Sequence, residues 1–216
     1  MDRSNIMKHR GLFIAFEGLD GSGKTTQARL LREWLESRGF QCLSVREPGG
    51  TPVGDSIRKL LLDPATELTD LGEAYLYAAA RAQLVQDVIR PALDRGETVL
   101  CDRYLFSSIA YQGYGLGLDV DFVRKINLEA VGQLLPDYTF VLEVEPEIGI
   151  KRQSSQRGLD RIERRNREFY HRVAEGYRRI AADYQLLVLA GTLAAKDIHQ
   201  EITATLRFLD EEVCVK

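Results

Sequence analysis

Residues 18–25 of the chain fit the pattern Gly-x4-Gly-Lys-Thr, in a setting that few folds provide. A short apolar run, residues 12–17, precedes the pattern and is typical of a buried strand, and helical spacing begins at Lys24. A glycine-rich turn between a strand and a helix lets backbone N–H groups approach an anion, and the helix start adds a favourable field. The pattern therefore predicts a loop that holds nucleotide phosphates rather than a simple helix-capping turn. Residues 18–25 are called the P-loop below.

Four more apolar runs alternate with helical segments along the rest of the chain. The runs cover residues 42–47, 98–102, 138–145 and 186–190, and the helical segments cover residues 24–38, 52–63, 70–94, 106–112, 120–135 and 196–211. Five short strands separated by helices predict an α/β fold whose parallel sheet is covered by helices on both faces. No repeat or Gly/Ser-rich linker interrupts the pattern, so we expect a single domain over residues 1–216. Such sheets bind ligands at the carboxyl ends of their strands.

The composition argues against several classes of function. With 29 basic and 32 acidic residues the net charge is −3, which does not favour charge-driven binding to nucleic acid or to an anionic membrane. No apolar run approaches the roughly 20 residues of a membrane span, and residues 1–10 lack the apolar core of a secretion signal. The three cysteines, Cys42, Cys101 and Cys214, are widely spaced, which is typical of reduced thiols in a cytoplasmic protein.

Basic residues are concentrated in one segment, where residues 151–179 contain ten Lys or Arg against four Asp or Glu. Within it, small polar residues and Gly158 separate two helical stretches. This composition indicates a mobile lid at about residues 151–161, whose arginines can close on a phosphoryl group during its transfer. The remaining charges of the segment are typical of a solvated helix surface, and binding of nucleic acid through this face is the less favoured alternative.

Residues that suit phosphate and metal chemistry lie in the P-loop and at the end of the third apolar run. The Lys24 ammonium can reach the β- and γ-phosphates of a nucleotide, and the Thr25 hydroxyl can ligate Mg²⁺. The third run ends in Asp102 and is followed by Arg103. At a strand end beside the P-loop, this carboxylate can hold Mg²⁺ or its waters, and this guanidinium can bind a second phosphate. In another setting the two would form an ordinary surface ion pair.

Two helical stretches contain groups that suit a nucleobase. Ser108 and Gln112 offer hydrogen bonds to a base edge and Tyr111 offers a flat wall, although an ordinary helix start has the same composition. Tyr77 and Arg81 lie four residues apart on one helical face, where they can stack on a base and hydrogen-bond to it. On spacing alone, a core tyrosine beside a solvated arginine is the favoured interpretation of that pair.

Further polar residues follow the second apolar run. Glu47 and Pro48 stand at the end of this run, on the side of the sheet expected to bind ligands, and Arg58 lies one or two helical turns beyond them. A solvated helix face would account for Arg58 equally well. Asp70 and Glu73 have the spacing of a capping box, which predicts that Glu73 helps to close the start of the helix at residue 70.

Five sequence blocks occur in the order seen in bacterial thymidylate kinases. The blocks are EGLDGSGKTT, REPGGT, YAAAR, DRYLFSSIAYQG and GLDRIE, and the resemblance covers about residues 11–210. The chain thus resembles a family of ATP:dTMP phosphotransferases. The resemblance implies a P-loop kinase fold with five parallel strands in the order 2-3-1-4-5, a requirement for Mg²⁺, and assembly as a homodimer.

The resemblance also implies which residues hold the phosphate and sugar of dTMP. Arg58 and Arg103 resemble the two residues of the family that bind the dTMP phosphate. Asp20 would meet the region of the 3′-hydroxyl, and Glu47 and Pro48 look like the wall on the sugar side.

For the base, Tyr77 takes the position of an aromatic residue that stacks on thymine. Arg81 matches the family's contact to a base oxygen, and Ser108 and Gln112 match its contacts to the base edge. Tyr111 looks like the aromatic residue that crowds the 2′ position and disfavours ribose.

For the donor side, the resemblance implies that the P-loop binds ATP and that Thr25 and Asp102 serve Mg²⁺. The ATP-binding residues are then Gly18, Leu19, Asp20, Gly21, Ser22, Gly23, Lys24 and Thr25. Some family members carry a basic catalytic residue inside the P-loop, and others carry it in the lid. The variable positions of this P-loop hold no basic residue, so the chain resembles the lid-arginine variant.

The resemblance therefore implies four catalytic residues, Lys24, Arg103, Arg157 and Arg152, while Arg161 is a further lid arginine. Either Arg157 or Arg152 makes the main lid contact. The residues themselves leave two other functions possible. One is a kinase for a different monophosphate, such as dUMP, UMP or CMP. The other is a regulatory ATPase or nucleotide sensor, which would lack a monophosphate pocket.

Overall fold

The computed structural model describes residues 11–153, 160–207 and 209. Its five strands are β1 (Phe13–Glu17), β2 (Cys42–Arg46), β3 (Thr98–Asp102), β4 (Tyr138–Glu143) and β5 (Leu187–Ala190). They pair in parallel, in the order β2-β3-β1-β4-β5. β1 is central, with Phe13 opposite Val99 of β3 and Ile14 opposite Tyr138 of β4. The predicted parallel sheet and its strand order are thus confirmed.

The described helices are α1 (Lys24–Glu36), α2 (Pro52–Leu62), α3 (Asp70–Leu84), α4 (Arg90–Asp94), α5 (Leu105–Ser108), α6 (Val120–Ala130), α7 (Pro146–Gln153), α8 (Arg167–Asp183) and α9 (Ala195–Thr205). Two π-helical turns join them, Val85–Ile89 between α3 and α4 and Ile109–Gly115 after α5. In the described part of the chain, no helix has both the length and the apolar character needed to cross a membrane.

The helix predicted over residues 70–94, with Pro91 expected to kink or shorten its end, changes its winding shortly before that proline. α3 ends at Leu84, the π-helical turn follows, and α4 begins at Arg90 with Pro91 in its first turn. Proline has no N–H to donate to the preceding turn, and the winding changes just before Pro91 while the chain stays helical, with the Arg90 N–H donating to the Val85 carbonyl. The periodic apolar pattern runs through the whole segment, so it does not mark this change in winding.

Side chains of the strands alternate between two apolar cores. Phe13 and Ala15 face a core that includes α8, whereas Ile14 and Phe16 face a core that includes α1 and α9. This alternation is the usual consequence of the pleat. All five residues of β1 are buried, and the burial of Glu17 among them is discussed below.

The carboxyl ends of β1, β2 and β3 are joined by backbone hydrogen bonds. The Glu47 N–H donates to the Asp102 carbonyl at 3.1 Å, and the Arg103 N–H donates to the Phe16 carbonyl at 2.9 Å. These bonds bring the P-loop, the turn after β2 and the turn after β3 to one edge of the sheet. The predicted site residues that follow these strands are therefore close neighbours.

Candidate active site

The P-loop is packed so tightly that it requires glycine at two positions. Gly18 has a φ of 130° and Gly21 a φ of 75°, both in the region that side chains disfavour. A Cβ on Gly18 would lie 2.3 Å from the Leu142 carbonyl oxygen, and one on Gly21 would lie 2.5 Å from that of Gly149. The loop leads into α1, whose capping residue Gly23 has no side chain to satisfy the first N–H groups. A helix start of this kind suits an anion.

Lys24 is buried and spans the P-loop, because its Nζ donates to the Leu19 carbonyl at 2.7 Å. Burial, followed by the positive charge of Arg103, lowers the pKa of Lys24 to about 8. The Ser22 hydroxyl in the same loop is buried with no hydrogen-bond partner among the described residues. Among the described residues the Lys24 ammonium thus donates to a carbonyl of the loop itself, and a bound phosphate can replace that carbonyl.

The two residues predicted to serve Mg²⁺ are in contact. The Thr25 Oγ1 donates a hydrogen bond to Asp102 Oδ2 at 2.6 Å, beside the P-loop. Hydroxyl and carboxylate oxygens are the hard ligands that Mg²⁺ prefers, and this ion commonly takes only one or two of them from the protein. The chemistry of this pair therefore fits a magnesium ion that is shared with nucleotide phosphates.

A cleft opens beside the P-loop. All ten residues predicted to bind dTMP line it, namely Asp20, Glu47, Pro48, Arg58, Tyr77, Arg81, Arg103, Ser108, Tyr111 and Gln112. Six further lining residues were not assigned to the site from the sequence, namely Arg46, Leu62, Ser107, Asp160, Ile162 and Glu163. A concave site that brings charged, polar and aromatic side chains together suits a small ligand such as a nucleotide.

Arg103 connects the P-loop to the cleft. It has a φ of 74°, and its Nη1 donates to the Gly18 carbonyl at 3.1 Å. Its Nη2 donates to Asp20 Oδ1 at 2.7 Å and to the Tyr111 hydroxyl at 3.1 Å, and that hydroxyl also contacts Asp20 Oδ2. Burial alone would raise the pKa of Asp20, but the charges of Arg103 and Lys24 outweigh it and lower this pKa. Arg103 is therefore held at the boundary between the two parts of the site.

Glu17, the last residue of β1, holds the start of α5 in place. This role was not identified from the sequence. Its Oε1 accepts from the N–H groups of Tyr104 and Ser107, and its Oε2 accepts from the hydroxyls of Ser107 and Tyr177. Burial raises its pKa, although these bonds and Arg103 oppose the effect. The carboxylate thereby closes the start of α5, which carries Ser108 into the cleft. The available signal was a charged residue at the end of an apolar run.

Arg81 forms a buried network, so the interpretation of a solvated arginine is wrong. Its Nη2 lies 2.5 Å from Glu47 Oε2, and its Nε donates to the same oxygen at 2.6 Å. Its Nη1 donates to Ser108 Oγ at 2.9 Å and to the Asn127 side-chain oxygen, and Nη2 also donates to the Tyr104 carbonyl. Burial raises the pKa of Glu47 despite this partner. Asn127 had no signal in the sequence, because it lies in an ordinary amphipathic helix.

Glu73 does not take part in the predicted capping box. Thr69 caps α3 by accepting from the Gly72 N–H, while Glu73 turns inward. One oxygen of Glu73 accepts from Gln112 Nε2 at 2.9 Å, and the other accepts from Arg161 Nη2 at 2.7 Å and Arg165 Nη2 at 3.3 Å. Two long-range cationic partners and an amide outcompete the local N–H group that a capping box would use.

The lid arginines have different positions. Arg152 is exposed, and its Nη1 donates to the carbonyls of Gly21 at 3.1 Å and Gly191 at 2.9 Å, so it links the P-loop to the loop after β5. Arg161 is fixed on α2, where its N–H donates to the Leu62 carbonyl and its Nε to the Leu61 carbonyl. Arg157 lies outside the described residues.

Comparison with known proteins identifies the same family over most of the chain. The family model for thymidylate kinase matches residues 16–202. A thymidylate kinase of Chlorobaculum tepidum is 41% identical over 216 residues, which cover 95% of this chain and 99% of that protein. One of an Exiguobacterium species is 50% identical over 175 residues, which cover 81% and 82%. The crystal structure of thymidylate kinase from Ehrlichia chaffeensis matches with a TM-score of 0.73 and 35% identity, covering 91% and 98%.

Proposed function

The chain belongs to the thymidylate kinase family, so it is a phosphotransferase that converts ATP and dTMP to ADP and dTDP, and we propose that the cleft beside the P-loop holds dTMP for this transfer. One observation carries the proposal. Nine residues assigned to dTMP from four separate blocks of sequence line a single cleft, together with Arg58. Arg103 lines the cleft and donates to the Gly18 carbonyl of the P-loop, which supports an acceptor phosphate bound next to the donor.

In the proposed mechanism, the P-loop N–H groups and Lys24 hold the ATP phosphates. The Lys24 ammonium exchanges the Leu19 carbonyl for phosphate oxygens of the donor. Thr25 and Asp102 would hold Mg²⁺, which neutralises the charge that develops on the phosphates. The remaining side chains of the site bind the reactants, orient them and shield them from water.

The acceptor is a phosphate monoester, which is anionic at neutral pH and needs no general base. Arg58 and Arg103 bind its oxygens, and this leaves one oxygen free to attack the γ-phosphorus in line with the departing ADP. Arg58 Nη1 already donates to the Pro48 carbonyl at 2.8 Å, on the wall of the cleft. Positioning and charge neutralisation then supply most of the catalysis.

Tyr77 stacks on thymine in this proposal, and Tyr111 fills the space beside the 2′ carbon. Ser108, Gln112 and Arg81 read the edge of the base, and the Asp20 carboxylate meets the 3′-hydroxyl. Arg157 or Arg152 approaches the phosphoryl group in transit, as in the lid-arginine members of the family. Closure of a lid over residues 151–161 would exclude water and so suppress hydrolysis of ATP.

We also propose that the protein is one kinase domain that assembles as a homodimer in the cytoplasm. Four large apolar side chains are exposed on α2 and α3, namely Val53, Leu60, Leu71 and Tyr75. Such an apolar surface is typical of a contact between proteins. The described cysteines, Cys42 and Cys101, are free thiols, which suits a reducing compartment.

A coupled assay of ADP release tests the proposal, with dTMP, dUMP, UMP, dCMP and dGMP compared in parallel. We expect strong turnover with dTMP and weaker turnover with dUMP, because a missing methyl group is worth only about 1–3 kcal/mol. Lys24→Met, which should lower turnover by about a hundredfold or more, excludes a contaminating kinase. A preference for another monophosphate would overturn the assignment of the base pocket, and ATP turnover that ignores every acceptor would support a regulatory ATPase instead.

A further inference from the structure

Two buried polar side chains face the cleft where the base edge is expected. Ser108, at the end of α5, and Gln112, in the π-helical turn that follows, both line the cleft and are 1% and 2% exposed. Each can present either a hydrogen-bond donor or an acceptor to a ligand, because a hydroxyl can rotate and an amide can be reversed. Their hydrogen-bond partners in the protein decide which group each presents.

Glu73 fixes the direction of the Gln112 amide. Its Oε1 accepts from Gln112 Nε2 at 2.9 Å, and a carboxylate cannot donate. Reversal of the amide would bring two oxygen atoms together in a buried site, which is costly. The amide nitrogen is therefore directed at Glu73, and the carbonyl oxygen of Gln112 remains as the group available to the cleft.

Arg81 fixes the role of the Ser108 hydroxyl, whose oxygen must accept a hydrogen bond from the guanidinium. Its Nη1 donates to Ser108 Oγ at 2.9 Å, and a guanidinium has no acceptor. The hydroxyl hydrogen of Ser108 is therefore free to point elsewhere as a donor. A donor at Ser108 beside an acceptor at Gln112 matches the 4-oxo group and N3–H of thymine, and opposes the 4-amino group and bare N3 of cytosine.

We infer that Glu73 is a positioning residue that sets base specificity by locking the Gln112 amide; the inference rests on the proposed function of the cleft. Glu73 is not among the residues that line the cleft, so it acts through Gln112. It is 1% exposed, and its second oxygen is held by Arg161 at 2.7 Å and Arg165 at 3.3 Å. These two guanidinium groups balance its charge and hold the carboxylate still.

The test compares kcat/KM for dTMP and dCMP in the full-length enzyme and in Glu73→Gln. Glutamine has the same shape as glutamate, but its amide can donate as well as accept, so the Gln112 amide becomes free to reverse. We expect the ratio of kcat/KM for dTMP over dCMP to fall by about tenfold to a hundredfold, through slower use of dTMP and faster use of dCMP. Equal loss with both substrates would show a merely structural role and overturn the inference.

Two variants sharpen the result. Glu129→Gln makes the same chemical change at an exposed residue of α6, so the ratio should stay within about twofold of the wild type. Gln112→Met should lower the ratio by itself, and Glu73→Gln added to it should lower the ratio no further. An unchanged ratio in Gln112→Met would overturn the inference even if Glu73→Gln folds poorly. A wild-type enzyme that uses no dTMP would instead overturn the proposed function, and the inference with it.

Discussion

The acceptor cleft and the donor loop are built on different principles. The cleft contains the buried pair of Arg81 and Glu47 and the partly exposed pair of Arg103 and the P-loop residue Asp20. The P-loop presents mainly backbone groups, and the ammonium of Lys24 is held by one carbonyl of the loop itself. Before substrate binds, the directions of the cleft side chains are thus determined by other charges, whereas the donor loop has few such constraints.

The difference corresponds to what each part must distinguish. Triphosphates are alike, and N–H groups with one mobile cation are sufficient to hold them. A base edge differs from its rivals only in the placement of donors and acceptors, so the groups that read it must not rotate. Buried ion pairs provide that rigidity, at the cost that removal of one partner leaves an uncompensated charge.

The largest effect should come from the donor side. We expect Arg157→Ala to lower kcat by about 10³-fold with little change in KM for dTMP, because the variable positions of the P-loop hold no basic residue and an arginine finger contributes on this scale. Steady-state kinetics with saturating ATP measure both constants. Arg152→Ala is the matched comparison, since Arg152 contacts backbone carbonyls of Gly21 and Gly191. If only Arg152→Ala lowers kcat, then Arg152 makes the main contact.

The next prediction separates the two regions directly. Lys24→Met should lower kcat by about 10²–10³-fold, the usual loss for one preorganised charge in a site. Binding of dTMP, measured by calorimetry without ATP, should stay within a few-fold, because Asp20 keeps its bond to Arg103. Lys196→Met, on the exposed surface of α9, is the control for removal of a lysine charge. A dTMP affinity that falls as far as kcat would show that the two regions are not independent.

The strands and the residues around the P-loop could be predicted because their signals are local. Each strand is a short apolar run, and the motifs fall at the carboxyl ends. The strand order came from the resemblance alone, since nothing in an apolar run specifies its neighbour. Arg81 and Glu73 were misread for one reason: their partners are 34 and 88 residues away, at Glu47 and Arg161. Sequence spacing detects the cap or the helix face nearby, and only folding brings the competing charge into contact.

A smaller effect is expected at Tyr111, whose two functions can be separated. Its ring lines the cleft, while its hydroxyl contacts Arg103 and Asp20. Tyr111→Ala should raise the use of UMP relative to dUMP by about tenfold, because the 2′ position is no longer crowded, whereas Tyr111→Phe should keep the preference and weaken only the charge network. Competition assays with the two monophosphates measure the ratio. An unaltered preference in Tyr111→Ala would remove this residue from ribose exclusion.

The smallest effect concerns pH and is confined to the donor loop. Burial and Arg103 lower the pKa of Lys24 to about 8, so the nucleotide-free loop loses its positive charge as pH rises through that value. The affinity for ATP with Mg²⁺ should then weaken roughly fivefold to tenfold between pH 7.5 and 9, in proportion to the protonated fraction. The affinity for dTMP should stay level, because the pKa of Asp20 is lowered and that of Arg103 raised, away from this range.

Lys24→Met serves as the control for this pH dependence, since its ATP affinity should be lower and independent of pH. The lowered pKa of Lys24 also affects folding stability, with the opposite dependence on pH. The unfolded chain keeps the lysine proton up to its ordinary pKa of 10.5, while the folded, nucleotide-free enzyme releases it near pH 8. Between these values the unfolded state binds more protons, so this group makes the free energy of unfolding rise with pH. A level ATP affinity in the wild type would show that Lys24 stays charged, and that the donor loop is as firmly set as the cleft.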